Sequence, residues 1–170
     1  TVMYTMLTTH QGNSYGSELG SMQGEYADWV RMQTASYNRN RKDNPGRKKY
    51  DARKRRYEEQ LHSYINQELN RFFKTEKPQR IYVAKLPRPQ AGGKNPKINH
   101  AVSMWQRGYI RKRLELKCRE QAVELVEVLG NGISRECSRC GAQGSRGDGL
   151  FRCEACGYTV EEKTNAAQNV

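Results

Sequence analysis

Four of the five cysteines in this 170-residue chain stand in two closely spaced pairs. The first pair is Cys137 and Cys140, and the second is Cys153 and Cys156, so each has the spacing Cys-x-x-Cys. Such a pair forms a tight knuckle that turns two thiolates toward one ion. Two knuckles supply four sulfur ligands, and the spacing therefore predicts one Zn²⁺ ion in a closed tetrahedral site.

The residues around these cysteines favour a structural role for the ion. Gly141 and Gly157 follow the two pairs, where a knuckle needs a residue that tolerates positive φ. The motif has no histidine and no position left for water, which a catalytic zinc ion requires. A redox-active dithiol is the alternative, but two matched pairs favour the metal site. Cys118 falls in an apolar stripe and is predicted to be buried in the core.

The chain is strongly basic, with 30 Lys and Arg against 18 Asp and Glu and a formal net charge of +12. This balance favours a polyanionic partner, because each neutralised phosphate releases condensed counterions. Ten tyrosines add ring faces that stack on bases, which favours nucleic acid over a membrane surface. A merely solvated charged surface is the alternative. The candidate phosphate contacts are Arg39, Arg41, Lys42, Arg53, Arg56, Arg107, Arg111, Arg113, Arg135 and Arg139.

A mean hydropathy of −1.00 and a hydrophobic fraction of 35% predict a thin core with long polar segments. No apolar run approaches the roughly 20 residues of a membrane span, and no signal peptide is visible. We therefore expect a cytoplasmic protein without a membrane partner.

The elements that must position the cysteines can be predicted from periodicity and turn residues. Together they predict an α/β fold with a mixed sheet, flanking helices and a small ribbon late in the chain. The predicted order is a strand over 2–8, a turn over 10–16, a short strand near 17–19, a helix over 25–38, a loop over 39–46, a long helix over 48–74, a strand over 81–86, a basic loop over 87–96, and a helix over most of 98–129 that becomes a strand at 123–129.

Three segments resemble the TnpB proteins of insertion sequences and the related miniature type V CRISPR effectors. They are ISRECSRCG from Ile133, FRCEACGYTV from Phe151, and NAAQNV from Asn165. That family consists of RNA-guided DNA nucleases, so the resemblance implies a guide RNA and a target DNA as partners in the nucleoid of a bacterial or archaeal cell.

The resemblance also implies a domain plan. It predicts an RNase H-like (RuvC) core over 1–132 that is incomplete at its N-terminus and carries a basic helical segment at about 25–75. The zinc ribbon would occupy 133–160, and 161–170 would begin the final helix of the core.

Nuclease chemistry in that family needs three carboxylates that hold two divalent ions, usually Mg²⁺. The resemblance aligns the second carboxylate with Ala84 in IYVAKL and the third with Lys163 in EEKTNAA, and it puts the first just before Thr1. Alanine has no ligand atom, and the ammonium of lysine repels a cation. A shifted register would offer Glu161 or Glu162 instead.

Three functions remain open at this point. The leading hypothesis is RNA-guided DNA binding by a catalytically inactive protein that acts by occupying its target or by recruiting another protein, for example in transcription control. The second is an active Mg²⁺-dependent nuclease whose carboxylates lie outside the chain or in another register. The third is a zinc-ribbon module that binds nucleic acid or protein without a guide RNA.

Overall fold

The computed structural model describes residues 5–39, 47–85 and 104–170, except for the side chains of 37–39 and 47. In these ranges no helix is long and apolar enough to cross a lipid bilayer. The helices and strands are β1 (Leu7–Thr8), β2 (Ser14–Tyr15), α1 (Leu19–Arg39), α2 (Arg47–Glu76), β3 (Arg80–Lys85), α3 (Arg107–Glu120), β4 (Glu124–Leu129), β5 (Ser145–Gly147), β6 (Leu150–Arg152), β7 (Thr159–Glu161) and α4 (Glu162–Gln168).

The chain divides into two compact units. The first contains the described residues within Thr1–Met6, Gly16–Thr75 and Arg88–Leu114, which include α1, most of α2 and the first half of α3. The second contains the described residues within Leu7–Tyr15, Glu76–Pro87 and Glu115–Val170, which include every strand and α4. The chain thus combines a helical unit with a unit of small sheets.

Buried aromatic rings join α1 to α2 in the first unit. The Trp29 ring lies 5.1 Å from Tyr50 and 5.3 Å from Tyr57, and the Tyr26 ring lies 5.4 Å from Tyr57, measured between centroids. Offset ring pairs at these distances stabilise beyond the area that they bury. Aliphatic residues at helical spacing then continue the core along α2 at Leu61, Ile65, Leu69 and Phe72, all of them buried.

Polar contacts fix the start of α3 to the helical unit. The His62 ring stacks on Tyr109 at a centroid distance of 3.6 Å. Asn66 donates from Nδ2 to the Tyr109 hydroxyl at 3.0 Å and accepts at Oδ1 from Nε of Arg113 at 2.7 Å. Because Asn66 is satisfied on both sides, it orients the facing surfaces of α2 and α3.

The strands of the second unit form three separate sheets. β1 pairs antiparallel with β2, β3 pairs parallel with β4 from Arg80↔Glu124 to Lys85↔Leu129, and β5, β6 and β7 form an antiparallel ribbon. The sequence predicts a single mixed sheet, but no strand within the described ranges joins the parallel pair to the β1–β2 hairpin. The mixed α/β composition is confirmed, and the RNase H-like arrangement stays a prediction.

Several predicted boundaries are shifted. β3, β4 and α2 lie where the sequence predicts them, within two residues at each end. The predicted strand near 17–19 is wrong, because β2 is Ser14–Tyr15 and α1 already begins at Leu19. Gly20, Ser21 and Gly24 are poor helix formers, but burial of Leu19 and Gln23 on the face of Tyr26 overrides their propensity. The predicted loop over 39–46 begins too early, because Arg39 still belongs to α1, while 40–46 and the predicted loop over 87–96 lie outside the described residues.

α3 ends earlier than the sequence predicts. The helix stops at Glu120, and Ala122 takes a left-handed conformation with φ of 53°. The Val123 N–H then donates to the Cys118 carbonyl at 2.8 Å, which closes the helix before β4 begins. Cys118 is buried, as predicted, and Ala122 in the turn is exposed.

Glu68 of α2 connects this helix to the backbone at Gly16, just before α1 begins. Its carboxylate accepts the Gly16 backbone N–H at 2.5 Å and two N–H groups of the Arg71 guanidinium. Burial raises the pKa of Glu68, but the hydrogen bonds from Arg71 and Gly16 lower it by more than burial raises it. The net pKa of Glu68 therefore falls below its ordinary value. The ionised carboxylate therefore stabilises the folded unit.

We predict that Glu68→Gln destabilises the helical unit by roughly 1–2 kcal/mol at neutral pH, because a neutral amide cannot serve both partners as a carboxylate does. A lowered folded pKa means that this stabilisation is complete above the ordinary value of about 4.3 and fades as pH falls below it. The difference between variant and wild type should therefore shrink near pH 3. Urea unfolding followed by the fluorescence of Trp29 and Trp105, both in this unit, measures it.

Glu59→Gln on the same helix is the matched control, because Glu59 is exposed. Its stability should stay within about 0.5 kcal/mol of wild type. An equal loss in both variants, or a Glu68 difference that does not change with pH, would contradict the assignment.

Candidate metal centre and nucleic-acid interface

The four paired cysteines converge on one point in the second unit. Their sulfur atoms all lie within 4.8 Å of one another. Sγ of Cys137 is 3.7 Å from that of Cys156, and Sγ of Cys140 is 3.6 Å from that of Cys153. Four sulfurs at 2.3 Å from a tetrahedral Zn²⁺ ion would be about 3.8 Å apart. The donor set and its spacing fit zinc, and each knuckle contributes one buried and one exposed cysteine.

The two knuckles share one hydrogen-bond pattern. In the first, the Gly141 N–H donates to the Cys137 carbonyl and the Cys137 N–H donates to the Ala142 carbonyl, both at 2.8 Å. The second knuckle repeats this pattern from Cys153 to Tyr158 at 2.9 Å. Gly141 and Gly157 have φ of 76° and 71°, a left-handed conformation that glycine adopts without strain. The predicted role of both glycines is confirmed.

Proximity of the thiols shifts their acidity in the metal-free protein. Burial raises the pKa of Cys137, but the backbone N–H groups of Arg139 and Cys140 and the neighbouring thiols lower it more, to about 7. The Ala142 N–H lowers the pKa of Cys140, yet hydrogen bonding to Cys156, burial and the other thiols raise it to about 12. The cluster thus favours one thiolate and opposes further ionisation, and a bound cation removes that opposition.

The ribbon has a very small apolar core. Phe151 is fully buried with Cys137 and Cys153, and Ala142, Tyr158 and Val160 pack against them. Two of the three buried members are zinc ligands. A core of this size is too small to hold three short strands alone, so an ion bound by the four cysteines would supply much of the folding free energy.

Asn165 connects the first knuckle to α4. Its Oδ1 accepts the Ser138 backbone N–H at 3.0 Å, and its Nδ2 donates to the Glu136 carbonyl at 2.8 Å. Asn165 is fully buried, and Ser138 and Glu136 flank the ligand Cys137. One side chain therefore fixes the backbone on both sides of a zinc ligand.

Two further residues of NAAQNV reinforce this contact. Asn169 donates from Nδ2 to the carbonyls of Ile133 and Glu136 at 2.9 and 2.7 Å. Gln168 accepts the hydroxyls of Ser138 and Tyr158, at 2.7 and 3.1 Å. In the sequence these residues appear only as part of a family signature, and their contacts with the first knuckle were not predicted. The sequence signal that could have indicated this role is the presence of three amide side chains, Asn165, Gln168 and Asn169, shortly after the cysteine motif.

The two positions aligned with family carboxylates lie on different elements of the second unit. Ala84 is in β3, opposite Val128 of β4. Lys163 is in the first turn of α4, with Nζ 3.8 Å from Oε1 of Glu161. Neither offers a metal ligand, so these positions do not fit a divalent cation. Across residues 5–39, 47–85 and 104–170, the four cysteines are the one group of three or more ligand-type side chains that converge.

The carboxylates near Lys163 have local partners. Oε2 of Glu161 accepts the Thr164 hydroxyl at 2.8 Å, while Oε1 faces Lys163. The Glu162 backbone N–H donates to the Gly149 carbonyl at 2.9 Å, which joins α4 to the ribbon. Glu161 therefore already serves the start of α4.

The candidate phosphate contacts differ in their surroundings. Arg53 and Arg56 are exposed on α2, and Arg135 and Arg139 are exposed in the ribbon segment. Arg53 and Arg56 belong to the helical unit, and Arg135 and Arg139 belong to the second unit. Arg41 and Lys42 lie outside the described residues, as does the side chain of Arg39.

The candidates on α3 are half-buried. Arg113 donates from Nε to Asn66, and the Arg107 guanidinium lies 5.5 Å from the centre of the Trp105 ring. Arg111 is half-buried on the same helix. Internal partners therefore compete with phosphate for Arg113 and Arg107.

We predict that the protein binds one zinc ion and that a chelator unfolds the ribbon while the helical unit stays folded. Loss of amide protection in β6, with unchanged fluorescence of Trp29 and Trp105, would show this. Cys153→Ser should abolish stoichiometric zinc, whereas Cys118→Ser should retain one equivalent, because Cys118 is not in the cluster. Equal zinc content in both variants would refute the site.

We also predict that Asn165→Ala weakens zinc binding by about 10-fold or more, because partners that orient ligands contribute on this scale. Competition with a chromogenic chelator measures the change. Asn131→Ala is the matched control, since Asn131 is exposed in the same unit. Unchanged zinc affinity in Asn165→Ala would show that Asn165 does not position the knuckle.

Comparison with known proteins agrees with this geometry. Residues 108–170 match the family described as Cas12f1-like, TNB domain. The TnpB-like protein aq_aa05 of Aquifex aeolicus (strain VF5) is 33% identical over 82 residues, which cover 45% of this chain and 27% of that protein. The CRISPR-associated endodeoxyribonuclease Cas12f1 of Sulfoacidibacillus thermotolerans is 30% identical over 69 residues, 39% of this chain and 16% of that protein. The aligned residues thus span about a quarter or less of these relatives.

A solved structure extends the likeness beyond the ribbon. The Cas12f1 chain in a cryo-EM structure of the Cas12f1–sgRNA–target DNA complex superimposes with a TM-score of 0.59 over 84% of this chain and 40% of that chain. At 19% identity this shows a shared fold. The family match over residues 108–170 and the two relatives together support a member of the family of TnpB proteins and miniature type V CRISPR effectors.

Proposed function

We propose that this protein binds DNA at sites chosen by a guide RNA and does not cleave them. The observation that carries the proposal is Lys163, which puts an ammonium where the family's third carboxylate would hold a metal ion. Ala84, at the second position, removes another ligand. Two-metal hydrolysis needs several carboxylates to neutralise the ions and to place the attacking water, and these two residues do neither.

The local structure around Lys163 supports the proposal. A shifted register would need Glu161 or Glu162 as a metal ligand. The Glu161 carboxylate is shared between the Thr164 hydroxyl and the Lys163 ammonium, so a metal ion there would have to displace Lys163 at short range. Repulsion between the two cations opposes that exchange.

Charge and family both support nucleic acid as the partner. The net charge of +12 favours a polyanion. The related Cas12f1 was solved with an sgRNA and target DNA, and we extend both partner classes to this chain. In such proteins base pairing with the guide selects the sequence, while the protein holds the backbone. A protein that binds without cutting would act by occupying its target or by recruiting a partner, as in transcription control.

We predict that the protein purified from its host carries a small RNA and that the complex retains matched target DNA without cutting it in Mg²⁺ or Mn²⁺. Gel shift and denaturing gels of the same end-labelled DNA measure the two properties. A mismatched DNA is the binding control. Metal-dependent cutting would refute the proposal, and loss of that cutting in Glu161→Gln or Glu162→Gln would identify the register.

Failure to recover RNA would favour the remaining hypothesis, a zinc-ribbon module that works without a guide. The Lys163→Ala variant separates charge from the loss of a ligand. It should bind DNA more weakly than wild type and should also leave it uncut, because alanine restores no carboxylate.

A further inference from the structure

A straight line of exposed residues runs along α2. Its members are spaced alternately four and three residues apart, which places them on one face of the helix. We call this line the α2 stripe, and at 1.5 Å per residue it is about 37 Å long. All of its residues are exposed: Lys49, Arg53, Arg56, Gln60, Ser63, Gln67, Asn70 and Lys74.

The stripe contains cations and neutral polar groups but no carboxylate. α2 has acidic residues elsewhere, and two of them are turned to internal contacts. Glu58 accepts the Tyr26 hydroxyl at 3.0 Å, and Glu68 accepts the Gly16 N–H and the Arg71 guanidinium. The stripe itself therefore presents no carboxylate to a polyanion, and the exposed Glu59 lies beside it, three residues from Arg56.

In the cationic N-terminal part of the stripe, the side chain of Arg53 is held in place before any ligand binds. The Arg53 guanidinium lies 5.6 Å from the centre of the buried Trp29 ring and 6.0 Å from that of Tyr57. A cation–π contact limits the rotamers of Arg53 and leaves its N–H edges able to donate. An arginine held in this way loses less entropy when it binds phosphate.

The middle of the stripe is neutral, which its helical setting does not explain. Ser63 and Asn70 are weaker helix formers than alanine, by up to about 0.7 kcal/mol each. Comparable residues elsewhere on α2 have internal partners, as His62 bonds Gln106 and Asn66 bonds Tyr109. Within the described structure, Ser63 and Asn70 make no comparable internal hydrogen bond. We therefore look for their partner outside the chain.

We propose that the α2 stripe binds an RNA-containing duplex, with its cations on phosphates and its neutral residues on ribose 2′-hydroxyls. Phosphate oxygens only accept hydrogen bonds, so lysine and arginine suffice for them. A 2′-hydroxyl donates and accepts, as do serine, asparagine and glutamine side chains. A-form duplexes display these hydroxyls in a wide, shallow minor groove, and DNA lacks them. This inference rests on the proposed function, because it assigns a surface to the RNA.

The test compares a 20-base-pair RNA duplex with a DNA duplex of the same sequence, each bound to the zinc-loaded protein freed of nucleic acid. Wild type should prefer RNA. The variant Gln60→Ala/Ser63→Ala/Gln67→Ala/Asn70→Ala should lose about tenfold or more in RNA affinity and change DNA affinity by less than about twofold, since each lost hydrogen bond to a neutral group is worth a modest factor. Alanine favours the helix, so unfolding is not expected, and circular dichroism checks this.

Two further variants complete the experiment. Lys49→Gln/Arg56→Gln should weaken RNA and DNA alike and reduce the slope of log affinity against log salt by about one for each phosphate contact removed. Ser21→Ala/Ser36→Ala is the control for exposed hydroxyl groups, because both serines are exposed on α1. It should change nothing. An unchanged RNA preference in the quadruple variant would overturn the proposal, as would an equal loss for both duplexes.

These outcomes are separable from the fate of the proposed function. If the host-purified protein carries guide RNA but the quadruple variant keeps its RNA preference, the stripe assignment alone is wrong. If the stripe discriminates RNA from DNA but no guide RNA is recovered, the guided-binding proposal alone is wrong.

Discussion

The ribbon depends on one electrostatic constraint, which is that four thiols within 4.8 Å cannot all ionise without a cation between them. The opposite shifts in the pKa values of Cys137 and Cys140 express this constraint in the metal-free protein. A zinc ion bound between the four sulfurs would remove this constraint, because the thiolates would then be attracted to the cation. The buried apolar core consists of little more than Phe151 and two of the four cysteines. Folding of the ribbon would therefore depend on the bound ion.

The constraint extends from the zinc site to α4. A helix of seven residues is too short to be stable by itself. Asn165 binds both flanks of Cys137, so an ordered first knuckle gives α4 a fixed partner. Lys163 and Glu161 lie at the start of that helix. An ion that ordered the first knuckle would therefore also stabilise the helix in which Lys163 lies.

The sequence predicted best what is encoded locally. All zinc ligands and knuckle glycines lie between Cys137 and Gly157, so their spacing alone identified the site. The contacts of Asn165 cross 27 and 29 residues, and no local pattern announces them. The end of α3 was not predicted for another reason. The residue in the left-handed conformation after a helix is usually glycine, and here it is Ala122. The early start of α1 reflects tertiary burial that overrides weak propensity.

Under the proposed function, Ala84 and Lys163 would also change how the protein binds DNA. A cluster of carboxylates repels a phosphodiester until divalent ions neutralise it, so an active site of this type needs metal to hold its substrate as well as to cut it. At the two positions that the family resemblance aligns with carboxylates, Ala84 is neutral and Lys163 is cationic. Under the proposed function, the same changes that abolish hydrolysis make DNA binding independent of Mg²⁺. The same two changes in side-chain charge would then both abolish catalysis and allow a contact with DNA phosphate that needs no metal ion.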